Sequence, residues 1–114
     1  MKITEAQLLA QTVQYLQYLE NQDKLMYSRI NVAGIYDAKI KNFRKLPLGV
    51  KRGFSDLIVI IKGQAIFLEA KSSTGVQSEK QKDFEQLCSI NKAPYYVFRN
   101  IEEVKKVVEL WINK

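Results

Sequence analysis

The chain has no histidine, a single cysteine and only two prolines among its 114 residues. Without histidine there can be no Cys/His zinc site, no Ser-His-Asp triad and no histidine general base, so carboxylate, lysine, hydroxyl and amide groups must carry any chemistry. A lone cysteine excludes an intrachain disulfide, and the helical spacing of Cys88 from Phe84 predicts a buried thiol. Any bound metal must therefore be a hard cation held by oxygen atoms.

Long hydrophobic runs are missing as well. No stretch is long enough to span a bilayer, and residues 1–10 begin a polar helix instead of a charged segment followed by an apolar one. We expect a soluble, non-secreted protein of the cytoplasm that does not bind membranes. At this length we also expect one domain, residues 1–114, around one hydrophobic core.

Acidic residues are the scarcer charged class, with 12 against 18 basic residues and a formal net charge of +6. Such a chain attracts polyanions, so nucleic acid is the first partner to consider, although excess lysine can also serve solubility alone. From Lys39 to Arg52 the chain has no acid, and Pro47 and Gly49 interrupt any regular element. We predict an exposed, nucleic-acid-binding loop with these basic residues: Lys39, Lys41, Arg44, Lys45, Lys51 and Arg52.

The first helix is predicted from about Glu5 to about Gln22. Thr4 and Gln7 have the pattern of a capping box, and apolar residues follow at helical spacing. Glu5 falls in line with that apolar face, so we expect its carboxylate to point along the buried side of the helix. The alternative is that an acid in the first turn only favours the helix dipole.

The rest of the pattern predicts three strands, a helix, a strand and a helix. Residues 26–36 are expected to form a strand with a bend, and 57–61 and 65–68 a hairpin. A second capping box at Ser78 and Gln81 begins a helix that ends near Asn91, residues 95–98 form a strand, and Asn100 caps a final amphipathic helix. The expected fold is α/β, with a mixed central β-sheet flanked by helices in the order α-β-β-β-α-β-α.

The predicted hairpin brings three charged side chains together. If Gly63 and Gln64 form its two-residue turn, counting outward places Asp56 opposite Lys71. Because side chains alternate between faces, Glu69 then shares one face with both of them.

Two carboxylates and a lysine at one end of a hairpin suit phosphodiester hydrolysis. Asp56 and Glu69 would bind Mg²⁺ or Mn²⁺, with the backbone carbonyl of Ala70 as a further ligand. Lys71 would orient the attacking water or stabilise charge on the phosphate. An acid two residues before a lysine is a weak signal alone, but here the pair interrupts an apolar strand. The alternative is a solvated strand end.

Three segments, in this order, resemble motifs of the VRR-NUC branch of the PD-(D/E)XK nucleases. Residues 53–58 (Gly-Phe-Ser-Asp-Leu-Ile) are similar to its Gly-x-Pro-Asp-Leu-Ile segment, residues 67–71 to its Glu-x-Lys strand, and residues 78–81 to its Ser-x-x-Gln helix start. The strand at 95–98 also fits, and the resemblance covers essentially the whole chain. Ser55 departs from the family pattern because it replaces a proline, which should loosen the backbone without removing a ligand.

The resemblance implies a restriction-endonuclease-like core and a metal-dependent DNA endonuclease. It makes Asp56 and Glu69 the metal ligands and Lys71 the catalytic lysine. It also puts Gln81 at the edge of the site as a catalytic residue, and Glu5 among or beside the metal ligands. For Gln81 the competing role is that of the capping-box glutamine, and the two roles are compatible.

Size and resemblance together suggest the substrate. A chain of this length has no separate recognition domain, so we expect selection of DNA shape, as in branched or Holliday-junction-like DNA. Cutting two strands would need a homodimer, for which the last helix with Trp111 is a candidate interface unless it only covers the core. No small-molecule cofactor is expected, and the resemblance suggests a bacterial or phage-infected cell. The alternatives are a catalytically idle nucleic-acid-binding module of the same fold and a structural protein whose charge only serves solubility.

Overall fold

A computed structural model describes residues 2–30, 36–37, 42–43, 48–49, 51 and 53–114. These residues form three helices and six strands, which confirms the α/β class. The elements in chain order are α1 (Glu5–Glu20), β1 (Met26–Arg29), β2 (Tyr36–Asp37), β3 (Asn42–Phe43), β4 (Leu57–Ile61), β5 (Gln64–Ala70), α2 (Glu79–Ile90), β6 (Tyr95–Phe98) and α3 (Ile101–Ile112).

The main sheet has four strands in the order β1-β4-β5-β6. β1 and β5 each run antiparallel to β4, while β6 runs parallel to β5, so the sheet is mixed as expected. Parallel neighbours need a crossover, and α2 supplies it between β5 and β6. β5 is therefore an interior strand, with β4 paired to residues 64–68 on one side and β6 to residues 67–70 on the other.

The hydrophobic core lies between one face of this sheet and the helices α1 and α3. Alternate residues of β4 are fully or almost fully buried, as the period of two for a strand requires. The core joins residues of both helices to residues of three strands: Leu8, Leu16, Leu19, Leu57, Val59, Ile61, Ile66, Leu68, Ala70, Phe98, Val104 and Val108. Within the described ranges, no helix is long and apolar enough to cross a membrane.

The opposite face of the sheet holds α2 through a cluster of aromatic rings. Phe84 of α2 lies with its ring centroid 4.5 Å from that of Phe54, 5.5 Å from that of Phe67 and 5.9 Å from that of Tyr95. Phe67 and Tyr95 are partners across β5 and β6. This cluster packs the middle of α2 on the face of the sheet that carries Phe67 and Tyr95.

The three predicted helix caps are present. Thr4 accepts a hydrogen bond from the backbone N–H of Gln7, whose side chain accepts one from the N–H of Thr4 in return. The same exchange links Ser78 with Gln81, and Asn100 caps α3. α1 ends two residues earlier than predicted, because the chain turns through residues 21–24.

The segment after β1 differs from expectation where it is described. The predicted strand over residues 26–36 ends at Arg29, and residues 31–35 lie outside the described ranges. Within the segment predicted to be a loop, Asn42–Phe43 forms a short strand paired with Tyr36–Asp37, so that prediction is wrong there. Lys51 is exposed, and the other five predicted DNA-binding residues, Lys39, Lys41, Arg44, Lys45 and Arg52, lie outside the described residues.

The β4–β5 hairpin is confirmed, but its predicted turn is wrong. Ile61 pairs with Gln64, so the turn consists of Lys62 and Gly63. Both turn residues have positive φ, 51° and 82° respectively. A type I′ turn, one of the two-residue turns that match the twist of the strands, requires this of both central residues, and glycine meets it easily at the second position.

The corrected turn changes the predicted register. Leu57 pairs with Leu68, and continuing the same ladder brings Asp56 level with Glu69 rather than with Lys71. The shift is two residues along the partner strand. Since side chains alternate with a period of two, the predicted shared face is retained.

Candidate active site

The three charged residues predicted from the hairpin lie at one end of the sheet. Glu69 and Lys71 stand at the end of β5, and Asp56 immediately precedes β4. Glu69 is completely buried, Lys71 is almost so, and Asp56 is partly exposed. Lys71 Nζ lies 3.9 Å from Glu69 Oε2. The structure thus brings together the two predicted acids and the predicted lysine.

Asp56 is held by backbone bonds on both sides. Its Oδ2 accepts a hydrogen bond of 2.8 Å from the N–H of Ala70, just beyond the last pair of the β4–β5 ladder. Its backbone carbonyl accepts one of 2.9 Å from the N–H of Ile30. Burial raises the pKa of Asp56, against the lowering effects of the Ala70 bond and of the charges on Lys71 and Arg29.

The predicted backbone ligand, Ala70, is oriented toward the same place. The N–H and C=O of one strand residue point to the same neighbouring strand. Because the Ala70 N–H donates to Asp56, the Ala70 carbonyl also points to the side on which Asp56 lies. Its position fits the ligand role predicted for it.

Glu69 has one oxygen in a hydrogen bond and one without. Oε1 accepts a bond of 2.8 Å from the hydroxyl of Tyr95, whereas the buried Oε2 has no hydrogen-bond partner among the described residues. Burial raises the pKa of Glu69, the Tyr95 bond and Lys71 lower it, and the charges of Asp56 and Glu5 add to the increase. A buried polar atom left unsatisfied costs roughly 1–3 kcal/mol, so Oε2 is suited to a cation.

The donor set fits a hard divalent cation. It comprises Glu69 Oε2, the Asp56 carboxylate and the Ala70 carbonyl, all oxygen atoms of the kind that Mg²⁺ and Mn²⁺ accept. In the part of the chain that the structure describes, no three acidic, histidine or cysteine side chains are grouped as a metal site. Two carboxylates are enough for Mg²⁺, which usually keeps several waters and takes further oxygens from a substrate phosphate.

The carboxylate of Glu5 does not point along a buried surface as expected. It is exposed at the first residue of the helix, one turn before Leu8, where burial begins. The first turn of α1 therefore extends beyond the part of the protein that the rest of the helix packs against. Glu5 is still near enough to raise the pKa of Glu69 through its charge, and its part in metal binding stays a prediction.

Gln81 belongs to the capping box of α2. Its side-chain oxygen accepts a bond of 2.9 Å from the N–H of Ser78. Among the described residues it forms no hydrogen bond with the three charged residues of the site. The described contacts thus support its capping role, and its catalytic role remains a prediction.

Gly53 explains how two of the sequence motifs meet. A Cβ atom at this position would lie 1.9 Å from the carbonyl oxygen of Lys80 and 2.6 Å from the backbone nitrogen of Gln81. Only glycine lets the segment before Asp56 pack this closely on the first turn of α2. The Gly53 motif and the Ser78–Gln81 motif are therefore parts of one local structure.

Ser55, where the motif that the chain resembles has proline, is firmly fixed, contrary to expectation. The residue is completely buried, and its hydroxyl donates a hydrogen bond of 2.9 Å to the carbonyl of Leu57. This bond spans Asp56 and restrains the entry into β4. A side-chain hydrogen bond thus supplies restraint at a position where proline would fix the backbone through its ring.

Arg29 is a site residue that the sequence did not reveal. With Leu9, Ile30 and Asp56 it lines a cavity of about 450 Å³, and its charge lowers the pKa of Asp56. It is the last residue of β1, opposite Leu57. Finding it from sequence would have required the pairing of β1 with β4, which no local motif indicates.

The sequence also did not indicate that Tyr95 and Arg99 lie near the site. Burial and the bond to Glu69 raise the pKa of Tyr95, so its hydroxyl remains protonated and donates. Arg99 donates to the carbonyls of Ser72 (2.7 Å) and Gly75 (2.8 Å), which anchors the loop that follows Lys71. Both residues would have been candidates if β6 had been placed beside β5, as a β-α-β unit favours.

No family model, curated protein or solved structure matches the chain.

Proposed function

We propose that the chain is a metal-dependent DNA endonuclease that hydrolyses phosphodiester bonds, with Asp56, Glu69 and Lys71 at its centre. The observation that carries this proposal is the buried Oε2 of Glu69, which has no hydrogen-bond partner among the described residues and lies 3.9 Å from Lys71 Nζ. In a purely structural role, the ion pair with Lys71 would leave this buried oxygen without a hydrogen bond, which costs stability. As a metal ligand, Glu69 Oε2 would instead bind the cation that the proposed reaction needs.

Each residue has a distinct task in this proposal. Bound Mg²⁺ or Mn²⁺ would supply Lewis acidity at the phosphate and make a water more acidic. Glu69 Oε2 and the Asp56 carboxylate would hold the ion, beside the Ala70 carbonyl. The ammonium of Lys71 would stabilise negative charge on the phosphate or orient the attacking water. The water oxygen would bond to phosphorus and give up a proton to solvent, the ester P–O bond would break, and the leaving oxygen would take up a proton from solvent.

The motifs support membership of the VRR-NUC branch of the PD-(D/E)XK nucleases, with a restriction-endonuclease-like core. The close contact of Gly53 with Lys80 and Gln81 favours this assignment, since it unites two motifs that are apart in sequence. In this proposal Gln81 stands at the edge of the site, and Glu5 acts on the metal ligands through its charge.

The proposed substrate is branched or Holliday-junction-like DNA, selected by shape. The basic residues between Lys39 and Arg52 would contact flanking phosphates. Because one site cuts one strand, we propose a homodimer, which light scattering after gel filtration would detect. The proposed location is the cytoplasm of a bacterial or phage-infected cell.

The test is cleavage of labelled nucleic acids by the wild type and by Lys71→Ala. The panel holds a four-way junction, a flap, a linear duplex, single-stranded DNA and the RNA equivalent of the duplex, each with Mg²⁺, Mn²⁺ or EDTA. Lys82→Ala is the matched control, because it removes a lysine that is exposed on α2. We expect junction cleavage that needs metal and falls at least about 100-fold in Lys71→Ala only.

Two other outcomes would change the conclusion. DNA binding without cleavage under every metal condition would reject the enzyme and support the idle binding module. Cleavage that Lys71→Ala leaves intact would reject the assigned site even if the protein is a nuclease.

A further inference from the structure

The hydroxyl of Tyr95 is the only group that hydrogen-bonds the Glu69 side chain within the described residues. Tyr95 lies on β6 opposite Phe67, on the face of the sheet that also carries Glu69. Its hydroxyl donates to Glu69 Oε1 over 2.8 Å and accepts from Gln77 Nε2 over 3.2 Å. Gln77 donates to Tyr95 and Tyr95 donates to Glu69, so both hydrogen bonds have their protons directed toward the carboxylate.

This bond determines which oxygen of Glu69 is left for a ligand. The last torsion of a glutamate side chain has broad, roughly two-fold preferences, so the carboxylate alone has no strongly fixed orientation. With Oε1 held by Tyr95, Oε2 is the oxygen left on the side of Lys71, 3.9 Å from its Nζ. The ion pair and the free ligand position therefore both depend on the Tyr95 bond.

We propose that Tyr95, supported by Gln77, is a positioning residue that holds Glu69 with Oε2 directed at the metal. This inference rests on the proposed function and adds two residues outside the predicted motifs to it. Tyr95 touches neither metal nor substrate, and it acts only through Glu69. Groups that orient metal ligands in this way typically contribute 10- to 100-fold to metal affinity.

The neighbouring residue offers a matched control. Tyr96 lies on the opposite face of β6, where its hydroxyl accepts a hydrogen bond of 3.1 Å from Trp111 Nε1. Tyr95→Phe and Tyr96→Phe each delete one partly buried hydroxyl from the same strand. Both keep the aromatic ring, so Tyr95→Phe retains the packing on Phe84. A difference between the two variants therefore reports on the site and not on loss of a tyrosine hydroxyl in general.

The first measurement is Mn²⁺ binding to the protein without DNA, by titration calorimetry or by the electron paramagnetic resonance of free Mn²⁺. We expect Tyr95→Phe to weaken binding roughly 10- to 100-fold, Gln77→Ala to weaken it less, and Tyr96→Phe to change it by less than about three-fold. Circular dichroism melting checks that the variants are folded.

The second measurement is the cleavage rate as a function of Mn²⁺ concentration. For Tyr95→Phe we expect half-maximal rate at a correspondingly higher Mn²⁺ concentration and recovery of most of kcat at saturation. A wild-type metal dependence in folded Tyr95→Phe would overturn the positioning role while leaving the nuclease in place. Absence of both Mn²⁺ binding and cleavage in the wild type would overturn the proposed function and this inference together.

Discussion

At the scale of single residues, the site places the carboxylates of Asp56 and Glu69 in a buried environment. A negative charge is unfavourable there unless a positive charge lies close to it. Burial is the largest influence on the pKa of both Asp56 and Glu69, and it raises both values above the ordinary 3.8 and 4.5. Such residues bind protons more tightly in the folded protein than in the unfolded chain. If these residues bind the proposed metal ion, the ion and a proton compete for the same oxygens.

This competition gives a prediction for the protein in EDTA. A carboxyl whose pKa is raised on folding contributes stability that is present below its ordinary pKa and lost as the pH rises through its folded pKa. The contribution of Asp56 and Glu69 to the free energy of unfolding should thus be present below their ordinary pKa values of 3.8 and 4.5 and decline as the pH rises through their raised pKa values in the folded protein. At a fixed Mn²⁺ concentration of about 100 times the Kd at pH 7, we expect Tm to rise by on the order of 10 °C at pH 7 and by less at pH 5, where the Kd is larger.

Thermal melts of the wild type and of Glu69→Gln at both pH values provide the check. Glu69→Gln keeps the size of the side chain but removes the charged ligand, so its Mn²⁺-dependent increase in Tm should largely vanish. An equal increase in the variant, or a larger wild-type increase at pH 5 than at pH 7, would contradict metal binding by Glu69.

At the scale of elements, the β4–β5 hairpin shows what local sequence determines. The apolar runs and the glycine were enough to predict two paired strands. They did not identify the two turn residues correctly. Lys62 has a positive φ, which nothing in the sequence leads one to expect of a lysine. The shared face of Asp56, Glu69 and Lys71 was nevertheless predicted correctly, since a register change of two residues preserves alternation.

Contacts between distant elements account for what the sequence did not predict. The exposure of Glu5 depends on how far α1 extends past the sheet. The roles of Tyr95 and Arg99 depend on the pairing of β6 with β5, and that of Arg29 on the pairing of β1 with β4. Helix caps, by contrast, involve residues three apart in sequence, and all three were found.

The turn of the hairpin supports a prediction about stability. Gly63 has φ of +82°, so Gly63→Ala should cost roughly 1–2 kcal/mol of the free energy of unfolding. Lys62→Asn should stabilise the hairpin slightly, by about 0.5 kcal/mol or less, because asparagine tolerates positive φ better than lysine. Urea denaturation measures both changes.

The same variants should leave catalysis unchanged. Gln64 and Glu69 are about 17 Å apart along β5, so the turn is remote from the site. Cleavage rates of the folded variants are expected to stay within about two-fold of the wild type. A large loss of activity in folded Lys62→Asn would mean that the turn end of the hairpin takes part in function.

At the scale of the whole molecule, the proposed function implies that the net charge of +6 and the acid-free segment would attract DNA. Each lysine that neutralises a phosphate releases condensed counterions, so binding weakens as salt increases. If the basic segment supplies these contacts, its lysines determine the salt dependence while Glu69 and Asp56 determine the metal dependence. The two properties should be separable by mutation.

The double variant Lys39→Gln/Lys41→Gln tests this separation. In a plot of log affinity against log salt, measured with junction DNA in EDTA, its slope should be smaller than that of the wild type by about 1–2. The matched control, Lys24→Gln/Lys106→Gln, lowers the formal charge equally, from +6 to +4, at two exposed positions outside the segment. Equal slope changes in the two double variants would show that net charge alone attracts the DNA. A change confined to the segment variant, with its Mn²⁺-dependent increase in Tm retained, would assign phosphate contacts to residues 39–41 and keep metal binding at the end of β5.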